Sequence, residues 1–133
     1  MQDDALHIAV AVIFDNSRKQ VLLSKRPDHV HQGGLWEFPG GKCENEEAVE
    51  NALSRELNEE LGLVVDTAES FIQVEHSYPE YRVLLDVWCV YDWHGDIHGR
   101  EGQQIEWVPV SDLEQKHFPV ANEAIVKAVK NLE

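Results

Sequence analysis

A run of seven apolar residues near the start of the chain, Ile8 to Phe14, restricts the fold more than any other feature of the sequence. The run is rich in β-branched side chains and has no polar residue, which is typical of a strand that is buried on both faces. Such a strand needs a covering layer on each side. We therefore expect a strand from about Leu6 to Asp15 inside a sheet that helices cover.

Other segments of the chain have the patterns of further strands and of two helices. We predict strands at Gln20 to Lys25, Trp36 to Phe38, Phe71 to Ser77, Arg82 to Tyr91 and Ile105 to Pro109. Apolar residues at helical spacing predict a helix from about Glu46 to Leu61, capped by Asn45, and a last helix from about Asn122 to Asn131. No linker or repeat is visible, so we expect one domain over residues 1–133, of the α/β or α+β class, with a mixed sheet between helices.

The chain carries a large excess of acidic residues. It has 25 Asp and Glu residues against 11 Lys and Arg residues, which gives a formal net charge of −14. A surface this acidic repels phosphate backbones, so we expect no direct nucleic-acid binding. An anionic ligand would need local positive charge, which a bound divalent cation can supply.

Cysteine content and hydropathy bear on where the protein works. Cys43 and Cys89 form no Cys-x-x-Cys pair, and two cysteines are too few for a disulfide scaffold. The first residues lack the basic segment of a signal peptide, and no apolar run approaches the length of a membrane span. We expect a cytoplasmic protein without a membrane segment, as a monomer or a homodimer.

Three glutamates near the end of the first predicted helix form a candidate metal site. Glu56, Glu59 and Glu60 lie three and four residues apart, and these spacings bring their side chains to one side of a helix. A solvated acidic face is the plainer interpretation. However, negative charge is unfavourable near a helix C-terminus, and carboxylates are the ligands that Mg²⁺ prefers. Metal binding is the favoured interpretation, and no EF-hand-like Asp-x-Asp-x-Asp-Gly loop indicates a structural Ca²⁺ site instead.

The spacing around these glutamates matches a known motif. Gly41 is followed after five residues by Glu47 and after seven more by the segment 55–63, which reads Arg-Glu-Leu-Asn-Glu-Glu-Leu-Gly-Leu. This pattern fixes nine positions over 23 residues (41–63), and it resembles the Nudix box at each of them. The resemblance implies hydrolysis of a nucleoside diphosphate linked to another group, on an α/β/α sandwich.

The resemblance extends to the MutT branch of that family. The segments that carry it are 37–42, 99–103 and 118–123. MutT-type proteins hydrolyse 8-oxo-dGTP to 8-oxo-dGMP and pyrophosphate and so prevent replication errors by sanitising the nucleotide pool. The resemblance implies the same activity here, with Mg²⁺ as the cofactor and Mn²⁺ as a possible substitute.

The resemblance also implies roles for individual residues. Glu56, Glu59, Glu60 and Glu101 would hold the metal together with the Gly40 carbonyl, and one of these glutamates would act as the general base. Arg55 and Glu47 would orient the helix carboxylates. The residues implied in substrate binding are Arg26, His31, Glu37, Phe38, Pro39, Gly40, Lys42, Tyr78, Tyr81, Arg82 and Asn122.

Asn122 is the residue that we expect to read the base. Its amide offers a donor and an acceptor, which suits O6 and the new N7–H of an oxidised purine. An alternative is that Asn122 only caps the last helix. MutT-type proteins often have arginine where Tyr81 stands here. Arg82 should then face the other side unless a bulge reorients it, and Tyr81 could stack on the base.

Other functions remain open at this stage. The chain could act on another modified deoxynucleotide, a cytidine nucleotide, ADP-ribose or a dinucleoside polyphosphate. A non-catalytic nucleotide-binding module is a second alternative, although it would not need to keep all four metal-site glutamates.

Overall fold

The computed structural model describes residues 5–29 and 33–132. Its strands are β1 (Leu6–Ile13), β2 (Gln20–Lys25), β3 (Trp36–Glu37), β4 (Gly40–Lys42), β5 (Val64–Ser77), β6 (Arg82–His94) and β7 (Ile105–Pro109). Its α-helices are α1 (Val49–Leu61) and α2 (Glu123–Lys130), and short 3₁₀ segments cover Val110–Gln115 and Val120–Asn122.

The strands form two sheets. The larger sheet has the order β4-β1-β6-β5, in which β1 and β6 are parallel and the other pairs are antiparallel. The smaller sheet has the order β3-β2-β7 and is antiparallel. The expected mixed sheet is therefore confirmed, while the separate three-stranded sheet is a feature that the sequence patterns did not predict.

Strand β1 is buried on both faces. Ala9, Ala11 and Ile13 belong to an apolar cluster with the buried face of α1. The alternate residues Val10 and Val12 belong to a second cluster with the buried face of α2. Because side chains alternate along a strand, one strand serves both layers, and the predicted α/β/α arrangement is confirmed.

Helix α1 begins later than the sequence pattern predicted. It starts at Val49 after Ala48, and no side chain caps it, so the prediction of a start near Glu46 with Asn45 as the cap was wrong. A tight turn precedes the helix: the Glu47 N–H donates to the Glu44 carbonyl at 3.0 Å, and Glu46 has a positive φ of 62°. The side chain of Glu47 accepts the Glu44 N–H, which closes this turn instead of a helical one.

Two strands also differ from the predictions. No strand was predicted at Gly40–Lys42, which forms β4 and pairs with β1. Gly40 suits this position because a Cβ there would strike the Ala9 carbonyl. Strand β5 starts at Val64 and not at Phe71. The sequence pattern missed its first half because this part is an exposed edge without clear alternation of apolar and polar residues. It pairs with β6 across register shifts.

Candidate active site

Helix α1 turns its carboxylates away from the core. Ala52, Leu53, Leu57 and Leu61 are buried against the larger sheet. Glu56 and Glu60 lie on another side of the helix, as the three- and four-residue spacings predict. The helix ends at Gly62, whose left-handed φ of 71° turns the chain back so that the Leu63 N–H donates to the Leu57 carbonyl at 3.4 Å.

Arg55 connects the helix to the turn that precedes it. Its Nε donates to Glu47 at 2.9 Å, its Nη1 to Glu56 at 3.0 Å and its Nη2 to the Lys42 carbonyl at 3.1 Å. Glu59 lies 3.6 Å from the same guanidinium but is more exposed than Glu56. Arg55 therefore fixes the position of Glu56, which fits the orienting role expected for Arg55 and Glu47.

Gly41 makes room for the Glu56 side chain. A Cβ at residue 41 would lie in direct contact with the Glu56 carboxylate. The absence of a side chain at residue 41 therefore leaves space for the Glu56 carboxylate beside β4. Gly41, which begins the motif, thus packs directly against Glu56, the first of the motif's three clustered helix carboxylates.

Glu60 is a partly buried member of the carboxylate cluster. Burial raises the pKa of the Glu60 carboxyl well above its ordinary value, and the hydrogen bond with Glu56 and the negative charges of Glu56, Glu101 and Glu37 raise it further. A carboxyl among other carboxylates in a desolvated place holds a proton unless positive charge replaces it. The environment of Glu60 therefore favours binding of a cation in exchange for that proton.

The donor set fits a hard divalent cation. Glu56, Glu60 and Glu101 supply carboxylate oxygens, and Glu60 interacts electrostatically with the other two. Within residues 5–29 and 33–132, no three His, Cys, Asp or Glu side chains stand in positions that could hold an ion as they are. The case for a divalent cation here thus rests on the oxygen ligands that these three glutamates offer and on the negative charge that the glutamates bring together.

Two cavities meet beside this cluster. The first has a volume of about 490 Å³ and contains Glu60 and Glu101, and we call it the carboxylate cavity. The second has a volume of about 350 Å³ and is lined by apolar and aromatic residues together with Asn122. We call it the nucleoside cavity after the ligand that the sequence leads us to expect there. Arg26 and Glu37 line both cavities, and Arg26 Nη1 donates to Glu37 at 2.8 Å. This ion pair stands where the two cavities meet.

Burial and the ion pair act in opposite directions on Glu37. Desolvation raises the pKa of its carboxyl, and the hydrogen bond and charge of Arg26 lower it. The burial contribution is the larger of the two, so the pKa of Glu37 lies above its ordinary value.

The floor of the nucleoside cavity comes from two paired strands. Leu6 pairs with Val83 and Ile8 with Leu85 in the parallel register of β1 and β6, and all four side chains line the cavity. Tyr81 continues the same alternation and also lines it. No register shift occurs between Ile72 and Ser77, which pair with the start of β6. The bulge that could have turned Arg82 toward the cavity is therefore absent from this stretch.

The cavity walls include most of the predicted substrate-binding residues, but not all of them. Arg26, Glu37, Phe38, Gly40, Lys42, Tyr78, Tyr81 and Asn122 line the nucleoside cavity. Arg82 and Pro39 lie outside the residues that line either cavity, and the Pro39 carbonyl accepts the Ala11 N–H at 2.8 Å. Substrate contact by Arg82 and Pro39 therefore stays a prediction. His31 lies outside the described residues.

The aromatic residues of the nucleoside cavity differ in how exposed their rings are and in how the rings pack. Phe38 is only 4% exposed and stacks on Phe118 with ring centroids 5.6 Å apart, so packing occupies one face of its ring. The ring centroids of Tyr78 and Tyr81 are 5.3 Å apart, and Tyr81 is 42% exposed. Tyr81 is therefore the better candidate for stacking on a base.

Asn122 stands at the N-terminus of α2 but does not cap it. Its backbone is in the right-handed helical region, and its side chain makes no capping hydrogen bond. Its side chain instead borders the nucleoside cavity. The structure therefore disfavours the alternative in which Asn122 serves only as a cap.

Some cavity residues had no sequence signal that we used. The apolar residues Leu6, Ile8, Val83 and Leu85 fell within predicted strands, and only the register of β1 with β6 shows that they form a cavity floor. Gln103 was noted only as part of a matched segment, yet it lies in the carboxylate cavity and bonds to the end of α1.

Comparison with known proteins identifies the family. The NUDIX domain model matches residues 9–128. The chain belongs to the Nudix family. This confirms the family inferred from the motif at residues 41–63, and members of the family are hydrolases that act on phosphoric anhydride bonds, so the chain is an enzyme of that class.

Three similar proteins place the chain within the Nudix family. The 8-oxo-dGTP diphosphatase of Escherichia coli K12 is 36% identical over 127 residues, which cover 96% of this chain and 98% of that protein. The CTP pyrophosphohydrolase of the same organism is 38% identical over 112 residues, with 84% and 81% covered. A structure from a study of MutT of Aliivibrio salmonicida and Vibrio cholerae has 40% identity, a TM-score of 0.84, and coverage of 96% and 98%.

Membership of the Nudix family agrees with the chemistry of the site. Nudix hydrolases generally need a divalent metal, and the carboxylates of α1 have the chemistry to bind one. Within the described ranges, no helix has both the length and the apolar character to cross a membrane.

The ion pair at the start of the Nudix box should give stability that depends on pH. Hydrogen bonds from Arg55 lower the pKa of Glu47 from 4.5 to about 2. A carboxyl whose pKa is lower in the folded state stabilises the fold above its unfolded pKa, and this stabilisation is lost as the pH falls through the folded pKa. We expect the melting temperature of Glu47→Gln to be lower than that of the wild-type protein at pH 7. The difference between the two melting temperatures should shrink toward pH 2.

The matched control for this prediction is Glu46→Gln. Glu46 is the exposed neighbour of Glu47, and its replacement should leave the melting temperature close to wild type at both pH values. Thermal unfolding followed by circular dichroism measures both variants. A Glu47→Gln difference of the same size at pH 7 and pH 2 would contradict the role of the ion pair.

Proposed function

We propose that this Nudix hydrolase converts 8-oxo-dGTP to 8-oxo-dGMP and pyrophosphate and thereby keeps oxidised nucleotides out of DNA. The observation that carries the proposal is the pair of adjoining cavities, one with carboxylates suited to a metal and one with an aromatic and amide lining suited to a base. The similarity to 8-oxo-dGTP diphosphatases supports the same substrate.

Mg²⁺ is the cation that we propose for the carboxylate cavity, with Mn²⁺ as a substitute. Its ligands would be the carboxylates of Glu56, Glu59, Glu60 and Glu101 and the carbonyl of Gly40. When bound, such a cation neutralises phosphate charge and lowers the pKa of a bound water. This supplies the positive charge that a protein with a net charge of −14 otherwise lacks near an anionic substrate.

The residues between the cavities would hold the nucleotide in place. Arg26 provides positive charge where the two cavities meet, and Lys42 provides positive charge in the lining of the nucleoside cavity. Glu101 is exposed in the carboxylate cavity, and its carboxylate accepts the proton of the attacking water. The shape of the two cavities keeps the base and the reacting phosphates apart, so base recognition and hydrolysis depend on different residues.

Asn122 would distinguish the oxidised base from guanine. Its side-chain amide can accept a hydrogen bond from N7–H and donate one to O6 of an 8-oxopurine, whereas N7 of guanine has no proton to donate. The lack of a capping bond leaves that amide available to a ligand in the cavity. Tyr81 would add stacking at the exposed side.

CTP is a second candidate substrate. The relative named CTP pyrophosphohydrolase is about as similar to this chain as the 8-oxo-dGTP diphosphatase of the same organism. The exposed ring of Tyr81 can stack on a pyrimidine as well as on a purine.

A substrate panel tests the proposed function. The purified protein with Mg²⁺ is given 8-oxo-dGTP, dGTP, CTP and ADP-ribose, and kcat/KM is measured for each. We expect the highest value for 8-oxo-dGTP. A higher value for CTP would favour the second candidate, and a higher value for ADP-ribose would contradict both.

We also propose a setting for this activity. The free cysteines Cys43 and Cys89 suit a reducing compartment, which supports the cytoplasm. A single domain over residues 1–133 that acts as a monomer or a homodimer, without direct nucleic-acid binding, would be sufficient for a nucleotide substrate.

The amide of Asn122 gives a prediction about selectivity. Asn122→Ala removes both hydrogen bonds to the oxidised base, a loss of about 1–3 kcal/mol for a buried group. We expect the ratio of kcat/KM for 8-oxo-dGTP to that for dGTP to fall by about one to two orders of magnitude. Hydrolysis of dGTP should change much less, because the phosphates are held by other residues.

Asn131→Ala is the matched control for Asn122→Ala. Asn131 is exposed at the opposite end of α2, so its replacement should leave the substrate ratio unchanged. Steady-state kinetics and a melting curve are recorded for both variants. A preserved ratio with a lower melting temperature for Asn122→Ala would show that Asn122 only stabilises the helix.

A further inference from the structure

The loop between β6 and β7 brings Glu101 to the wall of the carboxylate cavity, which also contains Glu60. Two backbone hydrogen bonds attach this loop to the end of α1. The His98 N–H donates to the Leu61 carbonyl at 3.0 Å, and the Arg100 N–H donates to the Glu60 carbonyl at 2.9 Å. Glu101 lies just beyond these bonds and is exposed, so neither of them fixes its position.

The side chain of Gln103 provides the missing connection. Its Nε2 donates to the Glu60 carbonyl at 3.1 Å, and its Oε1 accepts the Glu101 N–H at 2.9 Å. One amide group therefore joins the backbone of the loop carboxylate to the backbone of the helix carboxylate. This bridge needs a donor and an acceptor at the end of one side chain, which glutamine has and glutamate lacks when ionised.

The glycines of the loop shape it around this amide. A Cβ on Gly99 would strike the Gln103 carbonyl and would lie 3.2 Å from Gln103 Oε1. Gly102 has a left-handed φ of 81°, and its N–H donates to the Gly99 carbonyl at 3.0 Å, which closes a tight turn. The segment 99–103 thus folds so that Gln103 reaches back to α1 while Glu101 stays in the cavity.

We propose that Gln103 is a positioning residue that holds the Glu101 carboxylate beside Glu60 for hydrolysis. The proposal rests on the proposed function only in that Glu101 takes part in the reaction. It adds a residue that acts through the position of Glu101, and it explains why residues 99–103 bend as they do.

Gln103→Met tests the proposal, because methionine has a similar length but can neither donate nor accept these hydrogen bonds well. We expect the amide hydrogen of Glu101 to exchange with solvent several times faster, since its acceptor is gone. A displaced catalytic group of this kind typically lowers kcat by about ten- to a hundredfold, with little change in the nucleotide KM. Gln115→Met, at an exposed glutamine on the 3₁₀ segment, is the matched control and should change neither quantity.

A double-variant comparison separates positioning from general stability. If Gln103 acts through Glu101, adding Gln103→Met to Glu101→Gln should lower kcat by less than about twofold, because the effects are not additive. The proposal is overturned if Gln103→Met keeps wild-type kcat, or if it lowers kcat by the same factor in both backgrounds. Melting curves check folding, and Gln103→Leu, which also lacks both hydrogen-bonding groups, replaces Gln103→Met if the latter does not fold.

The same measurements distinguish this proposal from the proposed function. If Glu101→Gln keeps normal turnover of 8-oxo-dGTP, the positioning proposal is overturned and the substrate assignment stands. If the wild-type protein hydrolyses no nucleotide, the proposed function is contradicted. The exchange rate of the Glu101 amide then still tests whether Gln103 holds Glu101 in place. Unchanged exchange in Gln103→Met overturns that role.

Discussion

Glu56→Gln should reduce turnover by at least about a hundredfold while the protein remains folded. The substitution keeps the shape of the side chain but removes a charge and a hard oxygen ligand. Glu56 lies between Arg55, which donates to it at 3.0 Å, and Glu60, with which it shares a hydrogen bond. Loss of its charge therefore weakens the cluster at its centre.

Steady-state kinetics on the substrate that performs best in the panel measures this effect. Glu50→Gln is the matched control, because Glu50 is an exposed acid in the first turn of the same helix. It should retain close to wild-type kcat. Near-normal turnover of Glu56→Gln would show that the carboxylates of α1 are only a solvated acidic face.

Removal of divalent cations should have a still larger effect. With excess EDTA we expect hydrolysis to fall by at least about three orders of magnitude, since a catalytic metal contributes several kcal/mol to stabilising the transition state and each 1.36 kcal/mol is tenfold in rate. Addition of Mg²⁺ in excess over the chelator should restore the rate. Mn²⁺ should restore it as well, because both ions accept carboxylate ligands.

Two controls make the metal experiment decisive. Circular dichroism with and without EDTA checks that the fold does not depend on the cation, and isothermal titration of Mg²⁺ into Glu56→Gln should show weaker binding than into wild type. Turnover that persists in excess EDTA would rule out the carboxylates as a catalytic metal site.

The sequence predicted those parts of the fold that depend on regular patterns. The unbroken apolar run of β1 indicated burial on both faces, and the fixed spacing within residues 41–63 indicated the carboxylate cluster and the glycine that ends α1. Strand β7 follows the predicted range because its apolar residues are bounded by clear turns.

The features that were missed depend on contacts between distant segments. The start of α1 is set by Arg55 and the Glu44–Glu47 turn and not by a capping residue. The first half of β5 has no alternation because it is an exposed edge, and its assignment depends on pairing with β6. A pattern within one segment cannot reveal these partners.

The candidate site shows the same division. The carboxylates of α1 stand out in the sequence because their three- and four-residue spacing brings them to one side of a helix. The nucleoside cavity does not, because Leu6, Val83 and Asn122 come from three separate elements and meet only in the folded chain. Likewise, that Tyr81 and not Arg82 borders this cavity follows from the regular register at the start of β6.

Analysis of the products formed from 8-oxo-dGTP tests the central claim most directly. The protein is incubated with 8-oxo-dGTP and Mg²⁺, and the products are separated by anion-exchange chromatography. We predict 8-oxo-dGMP and pyrophosphate in equal amounts, formed faster than the corresponding products from dGTP. Release of orthophosphate with 8-oxo-dGDP, or no reaction under conditions in which another nucleotide is hydrolysed, would contradict the claim.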